Sequence, residues 1–177
     1  VCHYKAAGSS NWPKAVKGLE IIDDARRRGI DVSADMYPYT AGHTSLVSRL
    51  PLWAQAGGKA ATLARLADPV QRSRIKVAMR EDVLTRTDWD QVRISGCVKR
   101  PEFAGKSVPA LAAEEHKDPF DWAFDLLLET DLSVDITVFM SSEDNLRLQL
   151  TWSEMMIGTD GAALTLEGPL ARGVPHP

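Results

Sequence analysis

A strand, one amphipathic helix and a second strand fill the first 36 residues, and that spacing fixes most of what the chain can become. Val1 to Lys5 reads as the first strand. Asn11 then offers an N-cap, and Pro13 sits in the first helical turn. Val16, Leu19, Ile22 and Ala25 form an apolar stripe at helical spacing. Arg26, Arg27 and Arg28 suit the negative end of the helix dipole, and Gly29 supplies the stop. Ile30 to Met36 reads as the second strand. A strand–helix–strand unit of this length implies parallel strands joined by a right-handed crossover. In barrels and open sheets built from such units, the chemistry gathers where strands end.

The strand ends in this chain are polar. The first segment is Val1-Cys2-His3-Tyr4-Lys5, the second ends in Asp35-Met36-Tyr37-Pro38-Tyr39, and a third reads Met156-Ile157-Gly158-Thr159-Asp160-Gly161. Between the second and third, residues 37–50 read as a polar, Gly-containing loop, a place where function is common. Residues 51–106 depart from the repeat and read as a mostly helical insertion. Leu52 to Ala56 and Lys59 to Leu66 are short helices, and Asp68-Pro69 caps a longer one reaching about Val83. Gln91 to Ser95 is a short strand. The repeat then resumes. Ser107 caps a helix to about His116, and Asp118-Pro119 opens another to about Glu129. Val134 to Phe139 is a strand, and Ser141 with Asp144 resembles a capping box for a helix to about Leu150. Met155 to Gly158 is the last strand, and the tail from Ala162 is a Gly- and Pro-rich loop. No internal repeat or low-complexity tract occurs.

With 177 residues the chain is long enough for one domain with a real core. Its net charge of −3 gives no reason to expect nucleic acid or an anionic membrane surface as a partner. No apolar run approaches the ~20 residues of a membrane span, and no signal peptide is expected. Cys2 and Cys97 are too few for a disulfide framework, so a reducing cytoplasm is the expected compartment. Val1 lies inside a strand-like run and Pro177 directly follows Gly173-Val174-Pro175-His176; the expectation is a piece of a larger enzyme.

A histidine and an aspartate at such strand ends are the residue types that hold a divalent metal and activate water. Here they are His3 and Asp160. Strand alternation puts His3 and Lys5 on one face and Cys2 and Tyr4 on the other, so Cys2 and His3 should not share a metal. The plainer reading of His3 is a core histidine with one hydrogen bond. Lys5 on its face shifts the balance, because a buried lysine needs an anion or a carboxylate. Asp160 before Gly161 reads equally as a turn residue. Tyr37-Pro38-Tyr39 is either a rigid aromatic turn or a means of aiming the Tyr37 hydroxyl into a site. The role of Asp35 stays open. His43, in the loop, is a candidate for reaching the site; His116 ends an exposed helix, and His176 has no placement from spacing. Gly105-Lys106-Ser107 ends like a phosphate-binding loop, but Arg100 stands where the first glycine is required. No dinucleotide fingerprint, nucleophile elbow or paired-cysteine motif is present.

Together these segments resemble the N-acyl-D-amino-acid deacylases (D-aminoacylases) of the amidohydrolase superfamily. Cys2-His3-Tyr4-Lys5 matches the family's Ser-His-x-Lys strand apart from Cys2. Asp35 to Tyr39, followed by Thr40-Ala41-Gly42, matches its Asp-x-Tyr-Pro-Tyr strand end. Met156 to Gly161 matches Met-Ile-Gly-Ser-Asp-Gly with Thr159 for Ser, and Pro175-His176-Pro177 matches the start of Pro-His-Pro-Arg. His43 departs from the small residue usual there. The resemblance implies an α/β fold in which this chain is part of a TIM-like (β/α) barrel, about strands 6 to 8, carrying the insertion. It implies zinc as cofactor, with His3 a metal-binding histidine and Asp160 the aspartate that takes a proton from the attacking water and returns it to the leaving amine. Lys5, Tyr37 and, less regularly, His43 fall on the substrate side, with Lys5 near the substrate carboxylate. The His-x-His pair and the ligand cysteine of the family are not in this chain, so the implied partners are the remaining N-terminal part of the enzyme and a small N-acyl-D-amino acid. By itself the chain should be inactive. Two other readings stand beside this one: another amidohydrolase acting on cyclic amides, and a non-catalytic binding or assembly module.

Overall fold

The structure is a computed structural model, and it describes residues 1–81 and 87–160. The described strands are β1 (Ala34–Met36), β2 (Ala41–Ser45), β3 (Val92–Gly96), β4 (Asp135–Phe139) and β5 (Met155–Ile157). The described α-helices are α1 (Lys14–Arg27), α2 (Leu52–Gln55), α3 (Gly58–Ala67), α4 (Pro69–Glu81), α5 (Val108–Glu114), α6 (Pro119–Glu129) and α7 (Glu143–Leu150). They divide into two compact units. The first comprises 1–41 with the chain from 140 onward, and the second comprises 42–139. The expected loop from Ala162, with His176, and the expected end of α4 at Val83 lie outside the described residues.

In the first unit β1 and β5 pair in parallel, with Ala34 opposite Met155 and Met36 opposite Ile157. The N-terminal segment lies along the other edge of β1: Asp35 N–H donates to Val1 O (3.0 Å), and Tyr4 N–H donates to Asp35 O (2.8 Å). The expected first strand is thus present as a docked edge, although it contains a turn and is not a regular strand. α1 follows as expected but starts later. Asn11 does not cap it; its side chain donates to Ala7 O, and the chain makes a 3₁₀ turn at Ser9–Asn11 before Lys14. The buried stripe is Ala15, Leu19 and Ile22, while Val16 is 51 % exposed. Tyr4 crosses α1 at Gly18 and donates to Ala15 O, so the N-terminal segment is pinned to the helix at a position where only glycine leaves room. α7 is capped by Ser142, whose hydroxyl accepts from Asn145 N–H, one residue later than the expected Ser141 cap. Ser141 N–H instead donates to Thr40 O.

The second unit is built on a three-stranded sheet in the order β2-β4-β3. The sequence predicts that residues 134–139 continue a parallel repeat. Instead β4 runs antiparallel to β3, pairing Val138 with Val92 and Ile136 with Ile94. Those four residues are buried and form the sheet's inner face. α5 packs on β3 and on α6, and α3 packs on α4 and α6. Val108, Leu111, Phe124, Leu127, Leu66 and Ile75 fill the space between them. The helix caps read from sequence are made: Asp68, Ser107 and Asp118 accept from the amides of Gln71, Ala110 and Phe120, respectively. The stretch 51–106 lies wholly inside this unit, which is larger than it. Residues 41–45, expected as loop, form β2, and Leu46–Arg49 form a 3₁₀ turn capped by Ser45. No helix among the described residues is long and apolar enough to cross a membrane.

Candidate functional site

The site forms at the C-terminal ends of the parallel strands of the first unit, from four residues named by the sequence. An unbroken parallel ladder brings the carbonyl and amide of one residue to groups two residues apart on its neighbour. Asp35 instead spans Val1 O and Tyr4 N, three residues apart. One extra residue is therefore accommodated, as in a bulge, and bulges re-aim side chains. The residue that absorbs it is His3, at φ 52. This corrects the alternation read from the sequence: His3 and Lys5 are not two steps of a regular strand.

Released from the ladder, His3 N–H donates to Asp35 Oδ1 at 2.7 Å. The His3 ring meets the Tyr37 ring edge-on, with centroids 5.6 Å apart, and its Nε2 lies 3.4 Å from Asp160 Oδ1. Asp160 follows β5 and is also left-handed, at φ 55. Non-glycine residues in that region cost of the order of 1–3 kcal/mol and cluster at functional sites. Lys5 lies over the Tyr37 ring, Nζ 4.6 Å from its centroid, and donates to His3 O at 2.8 Å. Tyr37 is buried, with Tyr39 stacked on it at 6.1 Å.

The electrostatics follow from this packing. Burial pushes the Tyr37 phenol above its ordinary value, and the charge of Asp160 pushes it the same way. The phenol therefore stays protonated and able to donate. Burial draws the Lys5 ammonium below its ordinary value, opposed by the negative charges of Asp160 and Asp35. The Asp35 carboxyl is held low, first by the His3 amide and also by the Cys2 thiol.

His3, Lys5, Tyr37 and Asp160 are thus brought together. His43 is an exposed residue of β2 and belongs to the second unit. Asp35, whose role spacing left open, proves to be the residue on which the N-terminal turn rests. The signal available in the sequence was a carboxylate inside an otherwise apolar strand.

An imidazole nitrogen and a carboxylate oxygen are both zinc donors. These donor types fit zinc. Zinc takes three or four protein ligands, and among the described residues no cluster of three or more His, Cys, Asp or Glu side chains could hold a metal ion.

No family model matches the chain. A D-aminoacylase from Alcaligenes xylosoxydans xylosoxydans is 27% identical over 161 residues, covering 91% of this chain and 25% of that protein. A D-aminoacylase structure concerned with a binuclear metal center aligns with a TM-score of 0.58 at 25% identity, covering 91% of this chain and 25% of that one. An N-acyl-D-glutamate deacylase from Bordetella bronchiseptica, complexed with zinc and a phosphonate inhibitor, aligns with a TM-score of 0.60 at 23% identity, covering 91% of this chain and 26% of that one. The homologues and structural neighbours are D-aminoacylases and N-acyl-D-glutamate deacylases. The resemblance read from four short motifs therefore holds for most of this chain's length. The α/β fold matches that of the amidohydrolase D-aminoacylases, with no closed barrel among the described residues. The chain spans about a quarter of the length of the relatives it matches.

Proposed function

We propose that this chain is the late-barrel part of a zinc-dependent N-acyl-D-amino-acid deacylase. It would contribute about strands 6 to 8, with the N-terminal segment, β1 and β5 as those strands. The convergence of His3, Lys5, Tyr37 and Asp160 at one end of a parallel sheet is the observation that carries this reading. The exposed side chains of β5 support it: Met156 is 53 % and Ile157 65 % exposed, whereas parallel strands ordinarily have both faces covered. The remaining zinc ligands come, in this reading, from the rest of the enzyme.

Zinc, when bound, acts as a Lewis acid and lowers the pKa of water toward ~7. His3 is the ligand that this chain gives it. Asp160 takes the proton from the attacking water, holds it on the carboxylate and returns it to the leaving amine nitrogen. Lys5 pairs with the substrate's α-carboxylate, and the protonated Tyr37 hydroxyl donates a hydrogen bond to the substrate. The products are a carboxylate and a D-amino acid, and the partner is a small N-acyl-D-amino acid.

The test is an assay of the full-length protein with N-acetyl-D-amino acids, beside hydantoins and dihydropyrimidines. Turnover of the D-amides is expected. Turnover of the cyclic amides alone would replace this reading with a cyclic-amide hydrolase, and no turnover of either would favour a binding module. Residues 1–177 alone should show no deacylase activity and only weak zinc binding; deacylation by that piece would contradict the shared metal site.

A further inference from the structure

The N-terminal turn has no glycine to hold its left-handed residue, yet His3 must keep one orientation for its Nε2 to face Asp160. Val1, His3 and Tyr4 all lean on Asp35. Its amide bonds Val1 O, its carbonyl accepts from Tyr4 N–H and its Oδ1 accepts from His3 N–H. The two main-chain bonds fix where the segment lies along β1, and any residue at position 35 could make them. Only a side-chain acceptor of the right length reaches the His3 amide, which the extra residue has turned out of the ladder.

We propose that Asp35 is a positioning residue for the site: its Oδ1 captures the His3 amide, sets the left-handed turn and so aims the His3 imidazole at Asp160. This deepens the proposed function and rests on His3 being a metal ligand there. A short bond between an anionic oxygen and a backbone N–H is among the stronger hydrogen bonds available. Partners that orient a metal-binding histidine are commonly worth 10- to 100-fold in metal affinity. The requirement is geometric, so an asparagine that places Oδ1 at the same point should serve, and a glutamate with one more methylene should not.

The experiment uses the full-length protein with 13C-labelled histidine, in wild type and in Asp35→Asn, Asp35→Glu and Asp35→Ala. Without metal, the His3 ring protons report the ring's place against Tyr37 through the aromatic ring-current shift. The expected result is a wild-type His3 shift in Asp35→Asn and a displaced shift in Asp35→Glu and Asp35→Ala. With zinc, affinity should be kept in Asp35→Asn and fall about 10- to 100-fold in the other two. An unmoved ring in Asp35→Glu or Asp35→Ala, or a displaced one in Asp35→Asn, overturns the proposal. Should Asp35→Ala not fold, the Asn and Glu variants decide alone. His3→Ala with undiminished zinc would instead sink the metal-ligand reading, leaving the metal-free shifts to judge Asp35.

Discussion

Lys5 is the side chain whose charge the proposed chemistry uses most directly. It is half-buried over the Tyr37 ring, with one of its three donors engaged by His3 O. A charge-assisted hydrogen bond to a substrate carboxylate contributes roughly 1.5–3 kcal/mol, or about 10- to 150-fold. In the full-length enzyme, Lys5→Met should lower kcat/KM for an N-acyl-D-amino acid by about that factor. The loss should shrink for the corresponding amide, which has no carboxylate to anchor. Equal losses on acid and amide would move Lys5 from substrate binding to support of His3. The four gathered residues were legible as polar types at strand ends. The conformation of His3 was not, because left-handed turns are read from Gly, Asn or Asp, and none stands at position 3.

The element that fixes the N-terminal segment is α1, and Gly18 is the position to test. Alanine for glycine within a helix ordinarily stabilises by about 1 kcal/mol. Here a Cβ at position 18 would run into Tyr4 Oη and lie 3.0 Å from its Cζ. Gly18→Ala should therefore destabilise, by about 1–3 kcal/mol, and the loss should shrink in a Tyr4→Phe background. Denaturant unfolding of the four proteins in that cycle measures it; a stabilising Gly18→Ala would mean that Tyr4 does not lie against the helix. In the second unit, Asp125 lies between Arg72 and Lys117, at 2.7 and 2.9 Å. Partial burial raises its pKa, but hydrogen bonds from Lys117 and Arg72 outweigh that, and the carboxyl is held below its ordinary value. A carboxyl lowered by folding stabilises above its unfolded pKa, and that stability is lost as pH falls through the lower folded value. Asp125→Asn should thus lower Tm at pH 7, and the gap from wild type should close as pH falls below about 4. A gap independent of pH would assign the effect to packing. The caps at Asp68, Ser107 and Asp118 were legible because each is a short-range pattern. The direction of β4 was missed, although its alternation carried the signal: Ile136 and Val138 turn in while Asp135 and Phe139 turn out. One buried face suits an antiparallel sheet, whereas a parallel core strand is apolar on both.

For the molecule as a whole, the sequence read the parallel arrangement of the first unit through one strand–helix–strand unit and a distant strand that returns beside it. It could not delimit the second unit, because 42–50 reads as loop and 107–139 as ordinary helices and a strand, and these become one body only through long-range pairing of β2, β3 and β4. The central claim is a division of labour at the strand ends, with His3 holding metal and Asp160 moving the proton. Zinc content and steady-state kinetics of His3→Ala and Asp160→Ala, measured side by side in the full-length enzyme, test it most directly. The account predicts that His3→Ala loses zinc, and that Asp160→Ala keeps most of its zinc while kcat falls ~10²–10⁴-fold, the range for general acid–base catalysis. Undiminished zinc in the first variant, or undiminished turnover in the second, would contradict it.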